Sequence, residues 1–145
     1  MQKHMPQLLS VMTPFPYYVE AEQTVTAAQA LMESHDIRHL PVMINETIDS
    51  IISDADIKRA QLIGHRNSPE EELLVGDICS PRAWFADVSD PLGQILELMI
   101  EKHVNVVIVL KDGALAGIFT DSDACKVLLD VLRDTYREPQ DNSVA

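Results

Sequence analysis

Apolar residues return at helical spacing in two stretches of this chain, and at strand spacing in the stretches that follow each of them. Val25, Ala28, Leu31 and Met32 fall on one face of a helix predicted over Thr24 to His35. Leu92, Ile95, Leu98 and Met99 do the same over Asp90 to His103, with Asp90-Pro91 as N-cap and first turn. A short β-prone stretch precedes each helix, Tyr17 to Val19 in one case and Trp84 to Ala86 in the other. Two strands follow each helix as a hairpin, turning through Asn45-Glu46-Thr47 and, with the stronger signal, through Lys111-Asp112-Gly113. A last helix begins just after Ser53, running through Ile57 and Leu62, and just after Thr120, running through Val127, Leu128, Val131 and Leu132.

The two halves are copies of each other. An offset of 67 residues aligns Val11 to Ala60 with Ile78 to Val127 without a gap. Pro14/Pro81, Leu31/Leu98, Met32/Met99, Val42/Val109, Ile51/Ile118, Asp54/Asp121 and Asp56/Asp123 are identical, and turns and helix starts coincide. The period exceeds that of solenoid repeats, so a paired unit is expected rather than an array. The expected boundaries are an extension at 1–10, a first unit at 11–66, a connecting segment at 67–77, a second unit at 78–136 and a disordered polar tail at 137–145. Within the connection, Ser68-Pro69-Glu70-Glu71 has the form of a capping box with proline at the first helical position.

Composition narrows the functional classes. The chain has 145 residues, 46% of them hydrophobic, enough for one core or two half-size units sharing one. Its 11 basic and 23 acidic residues give a net charge of −12, without a basic stripe, which argues against nucleic acid and anionic membrane as partners. The apolar run Val104 to Leu110 is far too short to cross a bilayer, and Met1 to Ser10 lacks a signal core, so a cytosolic location is expected. Cys79 and Cys125 lie far apart and suggest free thiols. His35 and His39 are four apart, but the chain changes from helix to strand between them, and a shared metal face needs continuous helix.

The order of these elements, doubled, resembles the CBS domain family in its paired form, the Bateman module. The resemblance covers about Leu8 to Tyr136 and rests on Val11-Met12-Thr13-Pro14, on Arg38-His39-Leu40-Pro41-Val42, and on a hydroxyl-x-x-Asp signature in both copies. That signature lies in Ile51-Ile52-Ser53-Asp54-Ala55-Asp56 and in Gly117-Ile118-Phe119-Thr120-Asp121-Ser122-Asp123. The resemblance implies an α+β fold of two tandem β-α-β-β-α CBS units, packed about a pseudo-twofold axis and enclosing two clefts. It also implies an adenosine-containing ligand such as AMP, ADP, ATP, S-adenosylmethionine or NAD, and a homodimer.

The residue chemistry points the same way. A hydroxyl at a helix start, beside free backbone N–H groups, can hold a phosphate oxygen, which suits Ser53 and Thr120. A carboxylate three residues on lies one turn away, so Asp56 or Asp123 could accept both ribose hydroxyls. Tyr18, Val19, His39 and Pro41 would line one adenine pocket, and Phe85, Ala86, Val107 and Val109 the other. Arg38, His39, Lys58 and Arg59 are the candidate phosphate partners, since a polyphosphate near Asp54 and Asp56 needs cations. Each signature has a plainer reading as an N-cap followed by a dipole-stabilised Asp, and the basic residues have one as solvated charges.

The copies also differ. Ser50 stands where the second copy has Gly117, so the first hairpin is expected to approach a ligand less closely. Asn105-Val106-Val107-Ile108 lacks the proline and basic pair of the first copy, so the sites are expected to be unequal. The leading expectation is a stand-alone, non-catalytic sensor that takes an adenine nucleotide, with or without Mg²⁺, and signals to a regulated partner or to its own dimer. The alternatives are an interaction scaffold with degenerate clefts, and a Mg²⁺ site or enzyme built on the Asp-x-Asp pairs. No His-activated nucleophile or glycine-rich phosphate loop supports the last.

Overall fold

The computed structural model describes residues 5–14, 17–64 and 72–137. In chain order the elements are α1 (Leu8–Val11), β1 (Thr13–Pro14), β2 (Val19–Glu20), α2 (Val25–His35), β3 (His39–Ile44), β4 (Thr47–Ser53) and α3 (Asp54–Gly64). Then come α4 (Val75–Ile78), β5 (Phe85–Asp87), α5 (Leu92–Lys102), β6 (Val106–Lys111), β7 (Ala114–Thr120) and α6 (Asp121–Thr135). They form two compact α+β units, one spanning Pro16–Trp84 and the other joining Met1–Phe15 to Phe85–Ala145.

In the unit Pro16–Trp84 the sheet order is β2-β3-β4. Strand β2 runs parallel to β3 with Val19 opposite Val42, and β3 runs antiparallel to β4 with His39 opposite Ser53. A parallel pair needs a crossover, and α2 supplies it. Thr24 caps that helix by accepting the Ala27 N–H at 3.1 Å, and Asp36 ends it in the left-handed region at φ 52°. Of the face expected from the spacing, the helix buries Val25, Ala28 and Met32 and half-buries Leu31. Leu40, Val42, Ile52, Ile57 and Val75 have no exposed surface and form the centre of the core. The hairpin loop is only Asn45 and Glu46, both at positive φ, so Thr47 belongs to β4.

The second unit repeats this plan with a sheet of order β1-β7-β6-β5. Its α5 buries Leu92, Ile95 and Met99, and its hairpin turns through Asp112 at φ 51° and Gly113 at φ 81°. Helix α5 starts one residue later than Asp90-Pro91 suggested, because Pro91 is the N-cap and has no side-chain cap bond. Asp90 instead accepts the Asp87 N–H at 2.9 Å and closes the preceding turn. In that turn the Ser89 hydroxyl and N–H both donate to Asp87 and hold its carboxyl below the usual carboxylate range.

The four-residue helix α1 lies largely in the segment predicted as an extension, α4 adds a helical turn at the end of the predicted connection, and α3 carries both Ile57, buried, and Leu62, 86% exposed. The capping box at Ser68 to Glu71 and the tail beyond 137 lie outside the described residues. The opening segment of each copy also pairs with the other copy's hairpin. Thr13 pairs with Ile118 and Pro14 with Gly117, while Ser80 pairs with Ile51. Each opening segment thereby completes the backbone pairing of the other copy's hairpin, which groups Pro16–Trp84 in one compact unit and Met1–Phe15 with Phe85–Ala145 in the other.

Candidate functional site

Each hairpin delivers a hydroxyl residue to the start of a helix. Strand β4 ends at Ser53, and the Asp54 N–H donates to the Arg38 carbonyl at 2.8 Å, pinning the start of α3 to the residue before β3. Strand β7 ends at Thr120, and the Asp121 N–H makes the matching bond to the Asn105 carbonyl at 3.0 Å. Both signature pairs then close as capping boxes. The Ser53 Oγ accepts the Asp56 N–H at 3.0 Å, and Asp56 Oδ2 accepts the Ser53 N–H at 2.9 Å. Thr120 Oγ1 accepts the Asp123 N–H at 3.2 Å, and Asp123 Oδ2 accepts the Thr120 N–H at 2.9 Å. The plainer N-cap reading is thus realised at both helix starts.

What distinguishes the two carboxylates is the capacity left over. The Asp56 side chain is 19% exposed, and among the described residues its Oδ1 has as polar partner only the Arg59 guanidinium, at a long 3.5 Å. Asp123 is buried. The Thr13 hydroxyl lies 3.0 and 3.2 Å from its two oxygens, and the Thr120 hydroxyl lies 3.1 Å from Oδ2. Thr13 carries no signal of this role in its own segment; only the pairing of β1 with β7 reveals it.

The other site residues divide by accessibility. Tyr18, Arg38 and Arg59 are exposed, and His39 and Ser53 are half-buried, so five residues beside Asp56 can meet a ligand with their side chains. Val19 and Pro41 are buried in the sheet, as are Val107, Val109 and Ala86 in the other unit, where Phe85 is exposed. Those five buried residues can offer a ligand only backbone groups. Lys58 pairs with Asp54 at 3.0 Å, and Arg59 faces Asp56 at 3.5 Å.

A Cβ built on Gly117 would lie 2.4 Å from the Thr13 carbonyl oxygen. The glycine thus admits strand β1. His35 ends α2 and stacks on Tyr17 with ring centroids 3.8 Å apart, while His39 begins β3, so the two histidines stand on separate elements. Among the described residues no three His, Cys, Asp or Glu side chains gather as a metal cluster, and no helix is long and apolar enough to cross a membrane.

Comparison with known proteins places this geometry in a family. The chain is 26% identical over 111 residues to Hypoxic response protein 1 of Mycobacterium tuberculosis, an overlap of 76% of each chain. The crystal structure of Hypoxic Response Protein I with two coordinated zinc ions matches at a TM-score of 0.68, with 25% identity, covering 85% of this chain and 99% of that one. The CBS domain pair of protein MJ0100, solved in complex with 5'-methylthioadenosine and S-adenosyl-L-methionine, matches at 0.76 with 18% identity, covering 88% and 99%. The family model for the CBS domain matches twice, at residues 8–63 and 75–130. With both copies matched over most of its length, this chain belongs to the CBS domain family as a tandem pair.

Proposed function

We propose that the chain is a regulatory module that senses an adenosine-containing ligand, with Ser53, Asp56, Arg59, Arg38, His39 and Tyr18 as its principal contacts. The observation that carries this reading is the state of Asp56. Its carboxylate is held in place by the Ser53 cap through Oδ2, while among the described residues Oδ1 has only the long 3.5 Å contact with Arg59 as a polar partner. Such a group can take a ribose diol, two hydroxyl donors at adjacent carbons, without breaking the helix start. The MJ0100 pair, which shares the fold, is described with two adenosine derivatives bound.

The test is a thermal-shift panel of adenosine, 5'-methylthioadenosine, S-adenosylmethionine, AMP, ADP, ATP and NAD, with and without Mg²⁺. Ligand at 100 times its dissociation constant stabilises the native state by about 2.7 kcal/mol, a rise of several degrees. A flat response to the whole panel would favour a scaffold whose clefts bind nothing.

The module is further proposed to work as a homodimer, and α6 supports this. Its Leu128, Leu129, Val131 and Leu132 are 57%, 45%, 47% and 43% exposed, an apolar stripe on a single amphipathic helix. Sedimentation at tens of micromolar is expected to give twice the 16.2 kDa chain mass. Leu128→Glu with Leu132→Glu should return it to the monomer, and a wild-type monomer under the same conditions would overturn the dimer.

A further inference from the structure

Thr13 and Gly117 make the two halves of the repeat chemically unequal. An added Cβ at Gly117 would sit 2.4 Å from a backbone oxygen, so β1 can seat against β7 only over a glycine. The equivalent position in the first copy is Ser50, which is buried. There the corresponding segment reaches β4 through Ser80 alone, whose N–H donates to the Ile51 carbonyl at 2.9 Å. Strand β1, over its glycine, continues to a second pair, Pro14 with Gly117.

The closer seat brings the Thr13 hydroxyl onto Asp123, at 3.0 and 3.2 Å from the two oxygens. Asp123 also receives the Thr120 N–H at 2.9 Å and lies beside the Thr120 hydroxyl at 3.1 Å. A carboxylate has about four acceptor directions, and a diol needs two of them accessible from one side. Those of Asp123 are buried and largely filled; displacing Thr13 would strand its hydroxyl or bare the carboxylate, either of which is unfavourable. Asp56 meets neither obstacle.

We propose that Thr13, seated by Gly117, commits Asp123 to the fold, so that a ribose is taken at Asp56 alone and the chain binds one adenosine-containing ligand. This rests on the nucleotide reading above. Calorimetry with 5'-methylthioadenosine, whose lack of phosphate isolates base and ribose, decides it. Wild type should bind one equivalent per chain, and Asp56→Asn should lose all detectable binding, a loss of at least about tenfold, with the ligand-free melting point little changed. Two equivalents in wild type, or a remaining equivalent in Asp56→Asn, would overturn the assignment.

Thr13→Val tests the clamp separately. It should lower the ligand-free melting point by roughly 4–10 °C while affinity stays within about threefold. A Thr13→Val protein that melts with wild type would show that Asp123 does not depend on the hydroxyl. Should no member of the thermal-shift panel bind any variant, the nucleotide reading and the ribose assignment fall together. The melting of ligand-free Thr13→Val still decides the clamp in that case.

Discussion

Gly117→Ala is expected to destabilise the protein by about 2–3 kcal/mol, lowering the melting point by roughly 6–12 °C. The added methyl would lie 2.4 Å from the Thr13 carbonyl oxygen and 3.2 Å from its carbon, and both are backbone atoms with no rotamer to escape into. Relief requires β1 to lift from β7, which removes the Thr13 and Pro14 pairings and pulls the hydroxyl from Asp123. Gly113→Ala is the control. It sits in the hairpin turn at φ 81° with nothing within 4 Å, so its cost is conformational only, about 1 kcal/mol. Urea unfolding of both variants checks the contrast. Equal losses would mean that β1 can shift without cost.

The contrast also shows which parts of this fold a sequence can reveal. The faces of α2 and α5 and the two hairpins were legible because each is a local pattern, and of the expected faces Val25, Ala28, Met32, Leu92, Ile95 and Met99 are buried while Leu31 and Leu98 are half-buried. The repeat itself was legible because equivalent positions keep equivalent turns. Strand β1 was not, since its pairing partner is over 100 residues away and two residues carry no period. Helix α1 was not legible for the same reason, four residues being too few to show a face.

At the site the limit is of another kind. Ser53-x-x-Asp56 and Thr120-x-x-Asp123 look alike as sequence, and each forms its cap as a helix start demands. The difference between them lies in a third partner, Thr13, brought in by the fold. Val19, Pro41, Val107 and Val109, expected to offer an adenine backbone amides and apolar walls, are buried in their strands, so their backbone groups are what they could present. Order along a strand fixes neighbours but not which of them a ligand can reach.

The second large effect concerns phosphate number. Arg38→Ala combined with Arg59→Ala is expected to weaken ATP binding by about 10- to 100-fold, and adenosine binding by less than about threefold. The geometry behind it is local to α3. Arg38 is tied to the helix start through the 2.8 Å bond from the Asp54 N–H to its carbonyl, and the Arg59 guanidinium stands 3.5 Å from Asp56 Oδ1. The Arg59 guanidinium therefore flanks the carboxylate proposed to hold the ribose, and Arg38 is anchored by its backbone to the same helix start. A base and ribose feel these charges little, whereas a triphosphate beside Asp54 and Asp56 needs them to offset like-charge repulsion. Arg59 is 67% exposed, so solvent screens it and the lower end of the range is expected at physiological salt. Calorimetry with ATP and with adenosine at two salt concentrations checks both parts: the ATP penalty should shrink as salt rises, and the adenosine penalty should not move. Equal losses for the two ligands would show that these arginines support the fold rather than the phosphates.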